Sequence, residues 1–510
     1  MIFTDFPFYI FFIITAVLYF IVPLKLRWML LLIASLYFYG SSDIRYLPYI
    51  LSTSLIIYGV SRFIQKNYDS GDEAMIKKNR PVLITGLVVV IGILIYSKFA
   101  ARLLTLIAGY MGGDGTTVME VLMPLGISYY TFASVSYMLD VYWKRVEAQK
   151  NPLKILLYLI YFPHILQGPI PKYEKLAPQL YEGHAFDYRR LCFGLQLILW
   201  GIFQKLVIAD RLGLFVTPVF HNWQEYHGFV LLLATFFCAF QLYMDFSGCI
   251  CMAEGMSEIF GITIEKNFKR PFFSQSVEEY WRRWHISLGN FFKDYLCMPI
   301  AVAKSVKKKS KEIRKKHGRQ AGNNYITLLS VSAVWLCSGI WHGTGINYVL
   351  WGISQGVIIL FSIFMEPVYK RVIEKLRINV NSKLWKAFRV VRTFILAAFL
   401  PKTLTMLTSP AKTLGFLKSM LKLDNFSIFT DGTIFDLGLD KVNFTIAIAS
   451  LLVLVAVSTL QEKGIKLREE LEKKNIAVRT LVYLAGLWWI ILFGIYGSKY
   501  DISTFTYMNF

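Results

Sequence analysis

Apolar runs close to bilayer-spanning length recur along most of the chain, and polar residues gather in the gaps between them. The runs fall at 8–24, 28–41, 46–60, 81–97 and 118–137. Residues 155–170, ILLYLIYFPHILQGPI, are apolar but short, and Pro163, Gly168 and Pro169 break them. That pattern predicts a re-entrant or interrupted helix, which survives at membrane depth only where protein or water satisfies its backbone. Runs near 190–208, 212–220 and 228–248 follow, then a long polar and aromatic region to Arg319. The last runs are 325–342, 346–366, 393–407, 443–459 and 477–496. Together they predict an all-α polytopic membrane protein with about 11–13 transmembrane or re-entrant helices. No internal repeat and no appended soluble domain is visible, so 1–510 is expected to be a single integral membrane domain.

Composition agrees with lipid as the solvent: 55% of residues are hydrophobic, and Phe 40, Tyr 30 and Trp 12 suit interfacial belts or cavity walls. The net charge of +22 would suit nucleic acid, but its distribution points elsewhere. Lysine and arginine sit in short connections, as the positive-inside rule expects, so no nucleic-acid partner is expected. Lys25 and Arg27 follow the first run, which places the N-terminus outside. No basic stretch precedes that run and no small-residue cleavage site follows it, so a retained span is expected rather than a signal peptide. Further basic groups surround Arg62–Arg80 and Lys144–Lys154, and between them Met111-Gly-Gly-Asp-Gly makes an external turn. The densest group, Lys304 to Arg319, predicts a basic cytoplasmic loop over 302–320 beside anionic lipid, with binding of an acidic carrier or nucleotide as the alternative. Asp424, Asp431, Asp436 and Asp440 suit the outer face. The tail 497–510 follows the last run and is expected there too.

The six cysteines form no C-x-x-C pair, and H-E-x-x-H is absent, so neither a metal site nor a disulfide framework is expected. Four polar islands interrupt the apolar background. WLCSGIWHGTG (335–345) places His342 at the end of an apolar run, where an ionisable group is costly. Its glycines permit close backbone approach and a helix break. A catalytic histidine and a core histidine bonded to a neighbouring helix both fit. YWRRWHISL (280–288), read as a helix, puts Trp281, Trp284, His285 and Leu288 on one face. There aromatics would wall a pocket and Arg282 and Arg283 would point elsewhere, toward phosphate or carboxylate. An interfacial aromatic belt with snorkelling arginines fits equally. In QLYMDFSG (241–248), Asp245 lies near Tyr243 and Ser247, either to orient a histidine or to cap the next helix with Ser247. In FPHILQGPIP (162–171), His164 is expected to be structural.

G-x-S-x-G and Gly-rich phosphate loops are missing, which argues against a serine hydrolase and a nucleotide-loop enzyme. Histidine base chemistry in a membrane cavity remains. A near-neutral imidazole can take a proton from a hydroxyl as it attacks an activated acyl carbon.

Taken together, YMDFSG, EEYWRRWHISL, FPHILQGPIPKYEKL and SGIWHGTG resemble the membrane-bound O-acyltransferase family. GISYYTFASVSYMLDVYW (126–143) and LYFIVPLK (18–25) resemble its bacterial branch that O-acetylates alginate and other exopolysaccharides. The resemblance implies helices in a ring around a central funnel or tunnel in the bacterial cytoplasmic membrane, and acyl transfer from a cytosolic thioester to an outer-face acceptor. By motif match it implies His342 as the catalytic histidine and His285 as the second. Trp281, Arg282, Arg283, Trp284, Tyr243, Asp245, Ser247 and Trp341 become supporting or donor-binding candidates. One departure stands out: the branch continues DFSGYSDMAIG, whereas this chain reads DFSGCICMAEG, with Cys249, Ile250 and Cys251 at the changed positions.

The resulting expectation is an O-acetyltransferase that binds no resident cofactor and uses acetyl-CoA or another acyl thioester as donor. Its acceptor is an envelope or secreted polysaccharide, reached with an extracytoplasmic SGNH-type transferase or esterase partner. The terminal FTYMNF resembles aromatic tails of related proteins, a resemblance that implies Tyr507 as an acyl relay, with an aromatic interfacial anchor as the alternative. Two rival functions are D-alanyl transfer from a carrier protein to teichoic acid and, in another class, a transporter or flippase.

Overall fold

The computed structural model describes residues 3–110, 122–407 and 409–496. The turn at 111–115, the start of the run 118–137 and the tail with Tyr507 lie outside the described residues. All regular structure among the described residues is helical, and eight helices are long and apolar enough to cross a membrane. They are Ile44–Ser70, Glu73–Ala100, Tyr188–His221, Gly228–Ile259, Lys304–His342, Ile346–Phe364, Lys441–Glu462 and Ile476–Phe493. The chain is an all-α polytopic membrane protein. Other apolar runs form shorter helices: Phe6–Ile21, Arg27–Ser42 and Ile127–Tyr142 have 16 residues each. At 1.5 Å per residue each covers about 24 Å, short of a hydrocarbon core of about 30 Å.

The described chain forms two compact units: Met1–Gly201 with Cys249–Lys266, and Ile202–Gly248 with Asn267–Phe510. In the first unit, Phe8, Phe38 and Phe162 meet through ring contacts. The interrupted helix expected at 155–170 is present as Pro152–Ile160 and Phe162–Ile165, broken at Tyr161. Protein satisfies the break. Phe162 N–H donates to Ser35 Oγ at 3.1 Å, and Tyr158 O–H donates to the Pro171 carbonyl at 2.9 Å. His164 is buried with Nε2 3.2 Å from the Tyr158 carbonyl, a packing position.

Two expectations change in the remainder. The runs 190–208 and 212–220 belong to one helix, Tyr188–His221, because a seven-residue π segment, Phe203–Ala209, carries the chain through the gap. In the second unit, the Leu206 carbonyl of that segment accepts from Ile495 N–H at 3.1 Å. The basic stretch 302–320 is largely helical rather than irregular: lysine is a good helix former, and its charged ends stay in water. Gly318, at φ 87°, takes a backbone conformation that a side chain would strain. It folds the stretch into a hairpin. There Ser310 Oγ donates to the Gly322 carbonyl at 2.9 Å and Arg314 to Asn323 Oδ1 at 2.9 Å.

The helix ending at His342 and Ile346–Phe364 pack through glycines. A Cβ on Gly352 would lie 2.3 Å from the Trp335 carbonyl oxygen, and one on Gly339 2.7 Å from that of Tyr348. Such close approach is how helices associate in lipid, where hydrophobicity alone does not hold them together.

Candidate active site

The single helix expected over 280–288 is instead two, Val277–Arg283 and Ile286–Phe292. Ser276 caps the first, its Oγ accepting from Glu279 N–H at 3.1 Å. Trp284 is extended and His285 sits in the left-handed region at φ 48°, ψ 54°, an uncommon conformation for a non-glycine residue. Asn267 holds it there. Its Oδ1 accepts from Ser287 N–H at 3.0 Å and Ser287 Oγ at 2.9 Å, and lies 3.2 Å from His285 Nδ1. Because a backbone N–H fixes that atom as an acceptor, His285 Nδ1 carries the proton and Nε2 the lone pair. Burial pushes the His285 pKa down to about 3, so the ring is neutral at ordinary pH.

His342 ends its helix at Gly343 and is half-buried. Its ring meets Trp341 at 4.6 Å and Trp351 at 4.8 Å between centroids, the latter edge to face. Trp341 also meets His285, at 6.2 Å. Trp281, Trp335 and Trp351 form a cluster with centroids 4.7–5.8 Å apart. Buried Gln355 fixes it, Oε1 accepting from Trp281 Nε1 at 3.2 Å. The two histidines line one cavity of about 540 Å³, together with Trp281, Trp284, Trp335 and Trp351. That volume is in the range of small-molecule sites. Although the helical face predicted for 280–288 is broken, Trp281, Trp284, His285 and Leu288 still reach this cavity.

The other sequence candidates separate. Arg282 reaches the cavity wall and pairs with Glu278. Arg283 is not among the lining residues and is held by Glu279 at 2.7 Å and Glu462 at 3.0 Å. Trp341 bridges the histidine rings without lining the cavity. Tyr243 packs on Trp284 and Phe272 behind the wall. Asp245 and Ser247 lie mid-helix in Gly228–Ile259, so neither is a cap. The buried Asp245 carboxylate meets Lys205 at 2.7 Å, and Lys205 also meets Asp210 at 2.8 Å. A carboxylate inside a span needs such a partner. Cys249, Ile250 and Cys251 continue the same helix.

Sequence reasoning missed Asn267, Gln355, Lys293 and Lys402, the last two of which line the cavity. Lys402 carried a usable signal, an ionisable residue inside the apolar run 393–407.

Fold and cavity define a polytopic helical protein with two histidines in an aromatic chamber. The chain belongs to the membrane-bound O-acyltransferase family, whose model matches residues 50–313, just over half of its length. That match contains His285 and ends before His342, whose place in the site rests on the cavity geometry. The chain is 29% identical over 343 residues to a probable alginate O-acetylase of Pseudomonas syringae pv. tomato, covering 67% of this chain and 62% of that protein. It is 27% identical to a peptidoglycan O-acetyltransferase of Helicobacter pylori, covering 64% and 62%. It is 28% identical to a teichoic acid D-alanyltransferase of Bacillus subtilis, covering 48% and 60%. In all three the chain spans less than two thirds of its relative's length.

Proposed function

We propose that the protein is an O-acyltransferase, most simply an O-acetyltransferase, acting on an envelope or secreted polysaccharide from the bacterial cytoplasmic membrane. One observation carries this reading: His342 and His285 line the same tryptophan-walled cavity. A hydroxyl oxygen attacks the thioester carbonyl carbon while His342 accepts the hydroxyl proton. The tetrahedral species collapses, the C–S bond breaks, and the imidazolium returns its proton to the leaving thiolate. Neutral His285, with its lone pair on Nε2, assists as a hydrogen-bond acceptor. The tryptophan walls exclude water that would hydrolyse the acyl group.

Acetyl-CoA is the proposed donor, and an extracytoplasmic SGNH-type transferase the proposed partner. Tyr507 is proposed to relay the acyl group. The alignment with teichoic acid D-alanyltransferases supports a second reading in which a carrier-bound D-alanyl thioester is the donor. Purified protein in proteoliposomes, supplied with either thioester, separates the two. The expected result is acetyl-CoA consumption that falls about 10²–10⁴-fold in His342→Ala. Equal rates in wild type and variant would remove His342 from the mechanism.

A further inference from the structure

The charged groups lining the cavity do not balance. Arg282 and Glu278 pair with each other and are both largely exposed. Lys293 and Lys402 also line the cavity, and among the described residues neither ammonium has an ion-pair partner. Lys293 is exposed, whereas Lys402 is half-buried on the short helix Leu400–Met406, where Pro401 opens the first turn. Its ammonium stands 5.9 Å from the centroid of the Trp284 ring, the residue adjoining His285. A cation held partly out of water without a counter-ion is costly, unless a ligand supplies the anion. A cation–π contact offsets only part of that cost.

We propose that Lys402 is the cavity's anion anchor, whose ammonium receives an anionic oxygen of the acyl donor. The assignment rests on the acyltransferase reading. Two donor oxygens carry the required charge: a phosphate oxygen present before reaction, or the carbonyl oxygen that becomes negative when the hydroxyl adds to the acyl carbon. In either case Lys402 stays protonated and forms no covalent bond. The electron pair on the oxygen returns to the carbonyl as the thiolate leaves.

The test compares wild type, Lys402→Gln and Lys402→Arg with two donors, acetyl-CoA and the phosphate-free thioester S-acetyl-N-acetylcysteamine. A KM for acetyl-CoA raised tenfold or more in Lys402→Gln, with the short donor unaffected and Lys402→Arg near wild type, identifies the phosphate. A fall in kcat of about 10²–10³-fold with both donors identifies the developing oxyanion. Unchanged kcat and KM with both donors overturn the assignment. Lys402→Met is a separate control on folding. Without an acidic partner to strand, it should melt no lower than wild type, and a Tm lowered by more than about 5 °C would make the lysine structural and overturn the anchor. Wild-type protein that uses neither acetyl thioester sinks the acetyl-donor reading and this assignment together. Wild-type turnover with an indifferent Lys402→Gln sinks only the assignment.

Discussion

At the scale of single residues, the site depends on how one ring is held. Asn267 Oδ1 satisfies three donors around His285, and both residues are buried. Asn267→Ala strands the Ser287 N–H and the Nδ1 proton, at roughly 1–3 kcal/mol for a buried unsatisfied group. It is expected to lower kcat about tenfold or more, while Asn267→Asp, which keeps the acceptor, retains most activity; steady-state rates on acetyl-CoA decide it. If the alanine variant is fully active, the clamp is not part of the mechanism. The same burial has a pH consequence. With its pKa lowered to about 3, His285 takes up its proton only on unfolding over the range below about 6.5. Its contribution to stability is therefore complete above pH 6.5 and is lost as pH falls toward 3, approaching 1.4 kcal/mol per unit. Thermal melts of detergent-solubilised protein at pH 7 and pH 5 should show a smaller acid loss in His285→Asn, which tolerates the left-handed backbone, than in wild type.

At the scale of elements, the cavity exists because two helices come very close. Gly352 sits under the Trp335 carbonyl with no room for a methyl, so Gly352→Ala must push backbone apart. Overpacking of this kind costs about 1–3 kcal/mol, and it moves Trp335 and Trp351, two cavity walls. The expected outcome is a lower melting temperature together with impaired turnover. Gly92→Ala, whose added carbon meets nothing within 4 Å, should be silent in the same assays. How much of this was legible depends on sequence distance. WRRWH and WHGTG marked both histidines and most of the tryptophans, because aromatic and ionisable residues at close spacing inside apolar chain are conspicuous. The break at Trp284–His285 was not, since Trp281, Trp284, His285 and Leu288 also satisfy a helical period. Upstream residues hold that stretch in a bend: Asn267 at His285, 18 positions away, and Lys269, whose N–H donates to the Arg283 carbonyl at 2.9 Å. Lys205 and Lys402 were exposed to the same reasoning that singled out His342, but each was counted within a hydrophobic run. Both local readings of Asp245, orienting a histidine and capping the next helix, overlook its partner Lys205, 40 residues away on another helix.

At the scale of the whole molecule, the proposed transfer of an acyl group from a cytosolic donor to an outer acceptor requires the chain's faces to be sided. The test lies in one stretch of the second unit. The basic hairpin around Lys308 leads into the helix ending at His342, and Ile346–Phe364 returns the chain to the same side. Asp431 then lies in an exposed acidic connection before Lys441–Glu462. Helical residues 383–406 intervene, a continuous stretch of about 36 Å by helical rise, which is enough to cross a core of about 30 Å. By the positive-inside rule Lys308 is expected in the cytoplasm. The stretch is not among the eight helices apolar enough to cross by themselves; a crossing there is the expectation under test, and it would put Asp431 outside. In a cysteine-free background, Asp431→Cys in intact cells should react with a membrane-impermeant maleimide, and Lys308→Cys only after permeabilisation. Labelling of both from the same side would mean that 383–406 enters and leaves on one face. The acidic loop would then lie with the donor instead of the acceptor, and the proposed route across the membrane would have to be redrawn.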